Sequence, residues 1–355
     1  MLHGYNVARR SAICLLRAQH FFHPPQPGSA RYSPPNLDAR AETFLLRNPF
    51  TISRGSKTEA RVVTASVTRG GHRGWGEGLP YPRYGETVEG AIAAIRALPE
   101  GISRAALQEA MPPCAARNAV DCALWDLEAK ATGRPVWQLA GLPPPQPVEI
   151  AFTLSLDTPQ AMRAAAARNA HRAVLKVKLG TPSDMPRIEA VRAGAPRVRL
   201  IVDANEGWTP EIYADLAPHL LRLGVEMVEQ PLPQGADDML AEIARPLPVC
   251  ADESAHDAAS LPGLVGRYDV VNLKLDKTGG LTEALRARDE ARRLGLKVMV
   301  GCMVSTSLSM APAVLVAQGA DWSDLDGPAD MAQDRDYPVR YDDRHIHPAL
   351  PQLWG

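Results

Sequence analysis

Six stretches of this 355-residue chain carry acid and base side chains in a repeating arrangement: Lys176-Val177-Lys178, Asp203-Ala204-Asn205, Glu229-Gln230-Pro231, Asp252-Glu253-Ser254, Lys274 and Asp324-Leu325-Asp326. From Lys178 to Lys274, successive sites are 22 to 26 residues apart, the length of one strand, one helix and two loops. Asp203, Glu229 and Asp252 each follow an apolar run (Leu200-Ile201-Val202, Met227-Val228, Val249-Cys250-Ala251) and so project from consecutive strand ends. Three converging carboxylates need a counter-ion, and an all-oxygen ligand set with water and substrate completing an octahedron favours Mg²⁺. Lys176 and Lys178 share a strand face, where mutual repulsion and burial lower a lysine pKa toward the range of a useful base. Lys274, in Val271-Asn272-Leu273-Lys274-Leu275, falls on the sixth strand, across from the second. A lysine on each side of one substrate carbon is the geometry for inverting a stereocentre. A cation chelating the adjacent carboxylate would stabilise the enediolate formed when the α-proton leaves.

The elements needed to hold such a constellation are legible. Strands are expected at Val148 to Leu154, Val174 to Lys178, Leu200 to Asp203, Met227 to Glu229, Val249 to Asp252, Val270 to Leu275, Lys297 to Gly301 and Trp322 to Leu325, alternating with amphipathic helices. Eight parallel strands make a closed (β/α)₈ barrel. The open doubly wound sheet lacks its usual Gly-rich phosphate loop here. Ahead of the barrel, Arg61 to Val67 and Gly74 to Glu77, separated by Gly70-Gly71, read as a hairpin or small meander. Helical patterns follow at Thr87 to Leu98 and at Ala115 to Ala131, the latter stopped by Gly133 and Pro135. The expected domains are an irregular extension over 1–38, an α+β capping domain over 39–142, a barrel over 143–327 and a segment over 328–355 that returns to the cap. Residues 1–37 contain Arg9, Arg10, Arg17 and Arg31 but no acid; that resembles a transit peptide, and an upstream extension or misplaced start is the expectation adopted.

Composition narrows the partners. With 39 basic and 40 acidic residues and net charge −1, no overall field recommends nucleic acid or a membrane surface, and the partner is a small molecule. No apolar run approaches the roughly 20 residues of a membrane-spanning helix. Five scattered cysteines fit free thiols in a reducing, cytoplasmic compartment. A homo-oligomer is left open.

With these marks goes a resemblance to the enolase superfamily, in its muconate-lactonising branch, running from about Ala41 to Gly327. Its carriers are Ala119-Val120-Asp121-Cys122-Ala123-Leu124-Trp125-Asp126-Leu127 and the barrel motifs above. Ile52-Ser53-Arg54-Gly55-Ser56, Pro80 to Glu86, Gly301-Cys302-Met303 and Asp324 to Pro328 more closely resemble its L-Ala-D/L-Glu dipeptide epimerases. The resemblance implies a (β/α)₇β variant of the barrel under an α+β cap. It implies Mg²⁺ on Asp203, Glu229 and Asp252, an acid/base pair of Lys178 and Lys274, and Lys176 tuning Lys178. It further implies Asp324 and Asp326 on a free substrate ammonium, Arg54 or, second, Lys57 on an acidic side chain, and Thr153, Cys302 and Met303 around the dipeptide. The activity implied is epimerisation of the C-terminal residue of a dipeptide, L-Ala-D-Glu to L-Ala-L-Glu, in salvage of cell-wall peptides. The same scaffold supports N-acylamino acid racemisation, o-succinylbenzoate synthesis and cycloisomerisation. Outside it stand a Schiff-base aldolase, which three metal-type carboxylates argue against, and a non-catalytic dipeptide-binding protein, which intact lysines argue against. Ser305-Thr306-Ser307 departs from the family pattern beside the expected pocket.

Overall fold

In the computed structural model, residues 36–355 are described; the expectation for the extension, up to residue 35, lies outside them. Three antiparallel strands, β1 (Asn36–Ile52), β2 (Gly55–Arg69) and β3 (His72–Gly78), open the cap. Helices α1 (Val88–Arg96), α2 (Arg104–Ala110), α3 (Ala115–Thr132) and the single turn α4 (Val136–Leu139) follow. Thr87 caps α1 by accepting from Gly90 N at 3.0 Å, as its residue type favours. Every second residue at the end of β3 is glycine, and these lie directly on α3: a Cβ at Gly74, Gly76 or Gly78 would stand 2.1 Å from the carbonyl oxygen of Ala123, Ala119 or Ala115. Strand and helix backbones therefore touch, and α3 is buried on nearly every side.

The barrel runs β5 (Ala151–Leu154), α5 (Pro159–Arg168), β6 (Val174–Lys178), α6 (Met185–Gly194), β7 (Arg199–Asp203), α7 (Pro210–Arg222), β8 (Val225–Glu229), β9 (Val249–Ala251) and β10 (Val270–Leu273). It continues with α8 (Leu275–Thr278), α9 (Leu281–Arg293), β11 (Lys297–Gly301), α10 (Ser307–Val316) and β12 (Trp322–Asp324). The eight strands β5 to β12 are ordered sequentially in one parallel sheet. The expected first strand is split: β4 (Val148–Glu149) pairs instead with β13 (His345–Ile346). Two expected helices are only 3₁₀ turns, Asp238–Ala241 and Leu261–Leu264. Pro231, Pro233, Pro246 and Pro248 crowd the first crossover, and Pro262-Gly263 sits inside the second.

One side chain from each barrel strand (Ala151, Val174, Ile201, Met227, Cys250, Val270, Met299 and Trp322) joins a small apolar cluster separate from the main core. This is the barrel's floor. Strand side chains alternate with period two, so the same inward face next carries Thr153, Lys176, Asp203, Glu229, Asp252, Asn272, Gly301 and Asp324. A polar layer is thereby stacked on an apolar plug, and one step higher stand Lys178, Asn205, Lys274 and Asp326. The C-terminal segment runs back along the cap: Ala332 N donates to Leu45 O at 2.8 Å, Arg335 bonds Glu42 and Glu77 at 2.7 Å each, and Trp354 Nε1 donates to Cys122 O at 3.0 Å. No helix among the described residues is long and apolar enough to cross a membrane.

Candidate active site

Cap and barrel enclose a cavity of about 910 Å³ over the strand ends. Its walls include Lys178, Lys274, Asp252, Asp324 and Asp326 from the barrel, and Phe50, Arg54, Lys57 and Tyr84 from the cap. The β1–β2 hairpin reaches this mouth because Gly180 leaves room for it. A Cβ there would lie 2.7 Å from Ser53 Cβ, and its φ of +121° is one that side-chain-bearing residues avoid.

Each of the three carboxylates, Asp203 and Glu229 ending β7 and β8 and Asp252 just after β9, has one oxygen tied off and the other turned to a lysine. Asp203 Oδ1 accepts Asn205 N at 2.9 Å, while Oδ2 accepts Lys178 Nζ at 2.7 Å. Glu229 Oε1 accepts Asn272 Nδ2 at 2.8 Å. Its Oε2 lies 2.7 Å from Lys176 Nζ but receives no hydrogen bond aligned on it. Asp252 Oδ1 accepts Lys277 Nζ at 2.6 Å, and Oδ2 accepts Lys274 Nζ at 2.7 Å. Among the described residues no three such side chains are already gathered as a cation cage, and a lysine ammonium lies against each of the three carboxylates. Even so, three buried carboxylates at successive strand ends, with Glu229 Oε2 left without a donor, suit a hard divalent cation.

Lys176, expected to tune Lys178, is packed among acids. Burial opposes its charge, but Asp324, Glu229 and Asp203 together hold its pKa well above the ordinary lysine value. Its Nζ lies 2.6 Å from Asp324 Oδ2, 2.7 Å from Glu229 Oε2 and 3.3 Å from Asp203 Oδ2. Lys176 thus sits among three carboxylates as well as beside Lys178 on the same strand face. Lys274 is likewise buried, with Asp252 pulling its pKa up. Among the acids, burial and Asp203 push Glu229 up to about 7, while Lys274 and Lys277 hold Asp252 far below the usual carboxylate range against burial. Gln230 and Asn205 have left-handed backbones, φ +34° and +45°, strain of the kind that gathers at functional sites. Gln230 uses it to bind the neighbouring strand end, its Oε1 accepting Asp252 N at 2.9 Å.

Asp324 and Asp326 are brought together around Thr153. Its N–H donates to Asp326 Oδ2 at 2.7 Å and its hydroxyl to Asp324 Oδ1 at 3.2 Å. Burial and the Asp324 charge push Asp326 up to about 7. Cys302 and Met303 line the same cavity. Ser305-Thr306-Ser307 is directed elsewhere: Thr306 bonds Glu77 and Ser307 bonds Asp334, fixing the start of α10. Arg54 is committed to the barrel, donating to Glu253 Oε1 at 2.7 Å, Asn205 O at 2.8 Å and Glu206 Oε2 at 3.1 Å. Lys57 instead places Nζ 4.5 Å from the Tyr81 ring centre, with no carboxylate in ion-pair range among the described residues. Sequence reasoning missed Glu206, which also accepts Arg83 at 2.8 Å, and Lys277. It placed Glu253 in a motif without giving it a role.

A two-domain enolase-type architecture, with acids and bases ringed at the carboxyl ends of the barrel strands, is the class this arrangement defines. The chain belongs to the mandelate racemase/muconate lactonizing enzyme family, matching its N-terminal domain over residues 37–141 and the enolase C-terminal domain-like family over 159–353. It is 43% identical to the L-Ala-D/L-Glu epimerase of Escherichia coli, over 86% of this chain and 97% of that one. It is 42% identical to the N-acetyl-D-glutamate racemase of a Pseudoalteromonas species, over 79% and 91%. A crystal structure from Agrobacterium tumefaciens superposes with a TM-score of 0.89 at 52% identity, covering 91% of this chain and all of that one. That protein is an enolase family member with homology to dipeptide epimerases, with bound sodium, L-Ala-L-Glu and an ordered loop.

Proposed function

We propose that this protein is a Mg²⁺-dependent epimerase of dipeptides that inverts the C-terminal residue, with L-Ala-D-Glu and L-Ala-L-Glu as the reference pair. The observation that carries the reading is the placement of the two lysines. Counting round the eight-stranded ring, β6 and β10 are four strands apart in either direction, so Lys178 and Lys274 face one another across the cavity. A substrate α-carbon held between them has a base on each face. One lysine takes the α-proton and the other returns a proton to the opposite side. Mg²⁺ held by Asp203, Glu229 and Asp252 would supply positive charge beside the substrate carboxylate. Lys176 keeps its proton and balances the acids around it. Phe50, with Lys178 Nζ 5.8 Å from its ring centre, helps to keep water from that base.

The Asp324/Asp326 pair favours a free ammonium over an acyl cap, because a buried acid held up to about 7 beside an ionised neighbour gains from an added cation. For the acidic side chain the order of preference becomes Lys57 before Arg54, since Arg54 is already matched by Glu253 and Glu206. A cytoplasmic setting accords with the free thiols of Cys114, Cys122, Cys250 and Cys302.

Incubation with L-Ala-L-Glu and Mg²⁺ in D₂O tests the proposal. Deuterium should enter the α-position of Glu, the D-epimer should appear, and both should cease with EDTA and return with Mg²⁺. Exchange on N-acetylglutamate but not on the free dipeptide would give the site to an acylamino-acid racemase. Undiminished exchange after complete chelation would remove the metal from the reading.

A further inference from the structure

Lys277 is a second buried lysine on the turn after Lys274, and the proton transfers above do not use it. Its side chain is wholly shielded from solvent. Nζ donates to Asp252 Oδ1 at 2.6 Å, to Asn272 O at 3.0 Å and to the backbone oxygen of Asp252 itself. Three acceptors around one nitrogen call for three N–H groups, which only the ammonium form has.

Holding a residue's main-chain carbonyl and its carboxylate with the same ammonium fixes that side chain's torsions. Asp252 is therefore locked with Oδ1 turned away and Oδ2 turned to Lys274 and the cavity. Asn205 N and Asn272 do the corresponding work on Asp203 and Glu229, but they are neutral; at Asp252 the tie is a charge.

The turn that carries Lys277 is itself anchored by the cap. Arg117 of α3 donates to Thr278 O at 2.7 Å and to Gly279 O at 3.1 Å. Asn118 donates to Asp276 Oδ1 at 2.8 Å, and Asp121 accepts Thr282 N at 2.9 Å. Lys274 and Lys277 thus leave one clamped turn and grip opposite oxygens of one carboxylate.

We propose that Lys277 is the positioning residue that makes Asp252 present a single oxygen, Oδ2, to the cation and to Lys274. This rests on the reading of Asp203, Glu229 and Asp252 as Mg²⁺ ligands. A partner that orients a ligand from behind commonly changes metal affinity by about 10–100-fold when removed.

The test reads Mg²⁺ binding without substrate, from the rise of the thermal midpoint with Mg²⁺ concentration and from calorimetric titration. Lys277→Met keeps the length of the side chain and removes its charge. The folded variant should need about 10–100-fold more Mg²⁺ for its half-maximal response. A purely structural lysine would lower the Mg²⁺-free midpoint and leave that concentration unchanged, which would overturn the proposal. A crystal structure of the wild-type protein grown with Mg²⁺ decides the matter even if the variant does not fold. Lys277 Nζ should remain within about 3.2 Å of Asp252 Oδ1 with Oδ2 on the cation, whereas Oδ1 on the cation would overturn it. A wild-type protein with no response to Mg²⁺ would remove the ligand reading and this inference together; a normal wild-type response with an unaltered variant removes the inference alone.

Discussion

Lys176 Nζ stands 2.6 Å from Asp324 Oδ2, joining β6 to β12 past the intervening β5 inside the barrel's polar layer. Both side chains are almost wholly buried, so the loss of either leaves the other's charge poorly compensated. Lys176 also lies beside Glu229 and Asp203, so its removal leaves several acids facing one another.

Lys176→Met should therefore destabilise the metal-free protein by about 3–5 kcal/mol, the usual cost of breaking a buried ion pair on one side. Lys176→Met combined with Asp324→Asn should recover part of that loss, because one orphaned carboxylate is gone. Denaturant unfolding of the two variants and the wild type gives the comparison. Equal stability of wild type and Lys176→Met would mean that water or protonated acids already neutralise the layer.

A pH dependence arises from Asp326. Burial first, then the Asp324 charge, raises it to about 7. Below that pH it is protonated and neutral, and its attraction for an ammonium is lost; above it the carboxylate is ionised and the attraction is complete. kcat/KM for L-Ala-L-Glu should fall as pH drops through about 7, by no more than about tenfold per pH unit for one proton. The same profile for N-acetylated dipeptide should lack this limb. Superimposable profiles would show that Asp326 does not meet the amine.

Much of the barrel could be read from the chain because its inward residues obey a simple period. Apolar plug, charged residue and spacing of 22 to 26 residues recur from Lys178 to Lys274, and that recurrence located the three carboxylates and three lysines. Lys277 is hidden by a boundary: a sixth strand extended to Leu275 would carry the chain straight past the site, whereas β10 ends at Leu273 and α8 curls Lys277 back onto Asp252. The state of Lys176 is obscured for a different reason. Its neighbour in sequence is another lysine, but its neighbours in space are acids from β7, β8 and β12. Arg54 is the same kind of case, its partners Glu206 and Glu253 lying far along the chain.

Those partners separate the two cationic residues on the hairpin. Lys57→Ala should reduce kcat/KM for L-Ala-L-Glu by about tenfold or more while barely changing that for L-Ala-L-Leu, since a charged hydrogen bond is worth roughly 1.5–3 kcal/mol. Arg54→Ala should affect both dipeptides alike. It leaves the buried Glu253 without its cation and loosens the hairpin over the mouth, with no selective loss for Glu. A Glu-selective loss in Arg54→Ala, with Lys57→Ala silent, would reverse the assignment.

The two candidate bases make the sharpest demand on the proposed chemistry. If each serves one face of the α-carbon, Lys178→Ala and Lys274→Ala should both abolish net epimerisation, yet neither need abolish exchange of the proton on the face whose lysine remains. Each variant incubated in D₂O with the two epimers separately should label one of them and leave the other protonated, and the two variants should show opposite choices. The variants also remove a cation from Asp203 or Asp252, so Mg²⁺ should be held at saturation to keep that change from imitating a lost base. Near-native interconversion by Lys274→Ala would leave the opposed-lysine arrangement without a function and return the site to a one-base reaction.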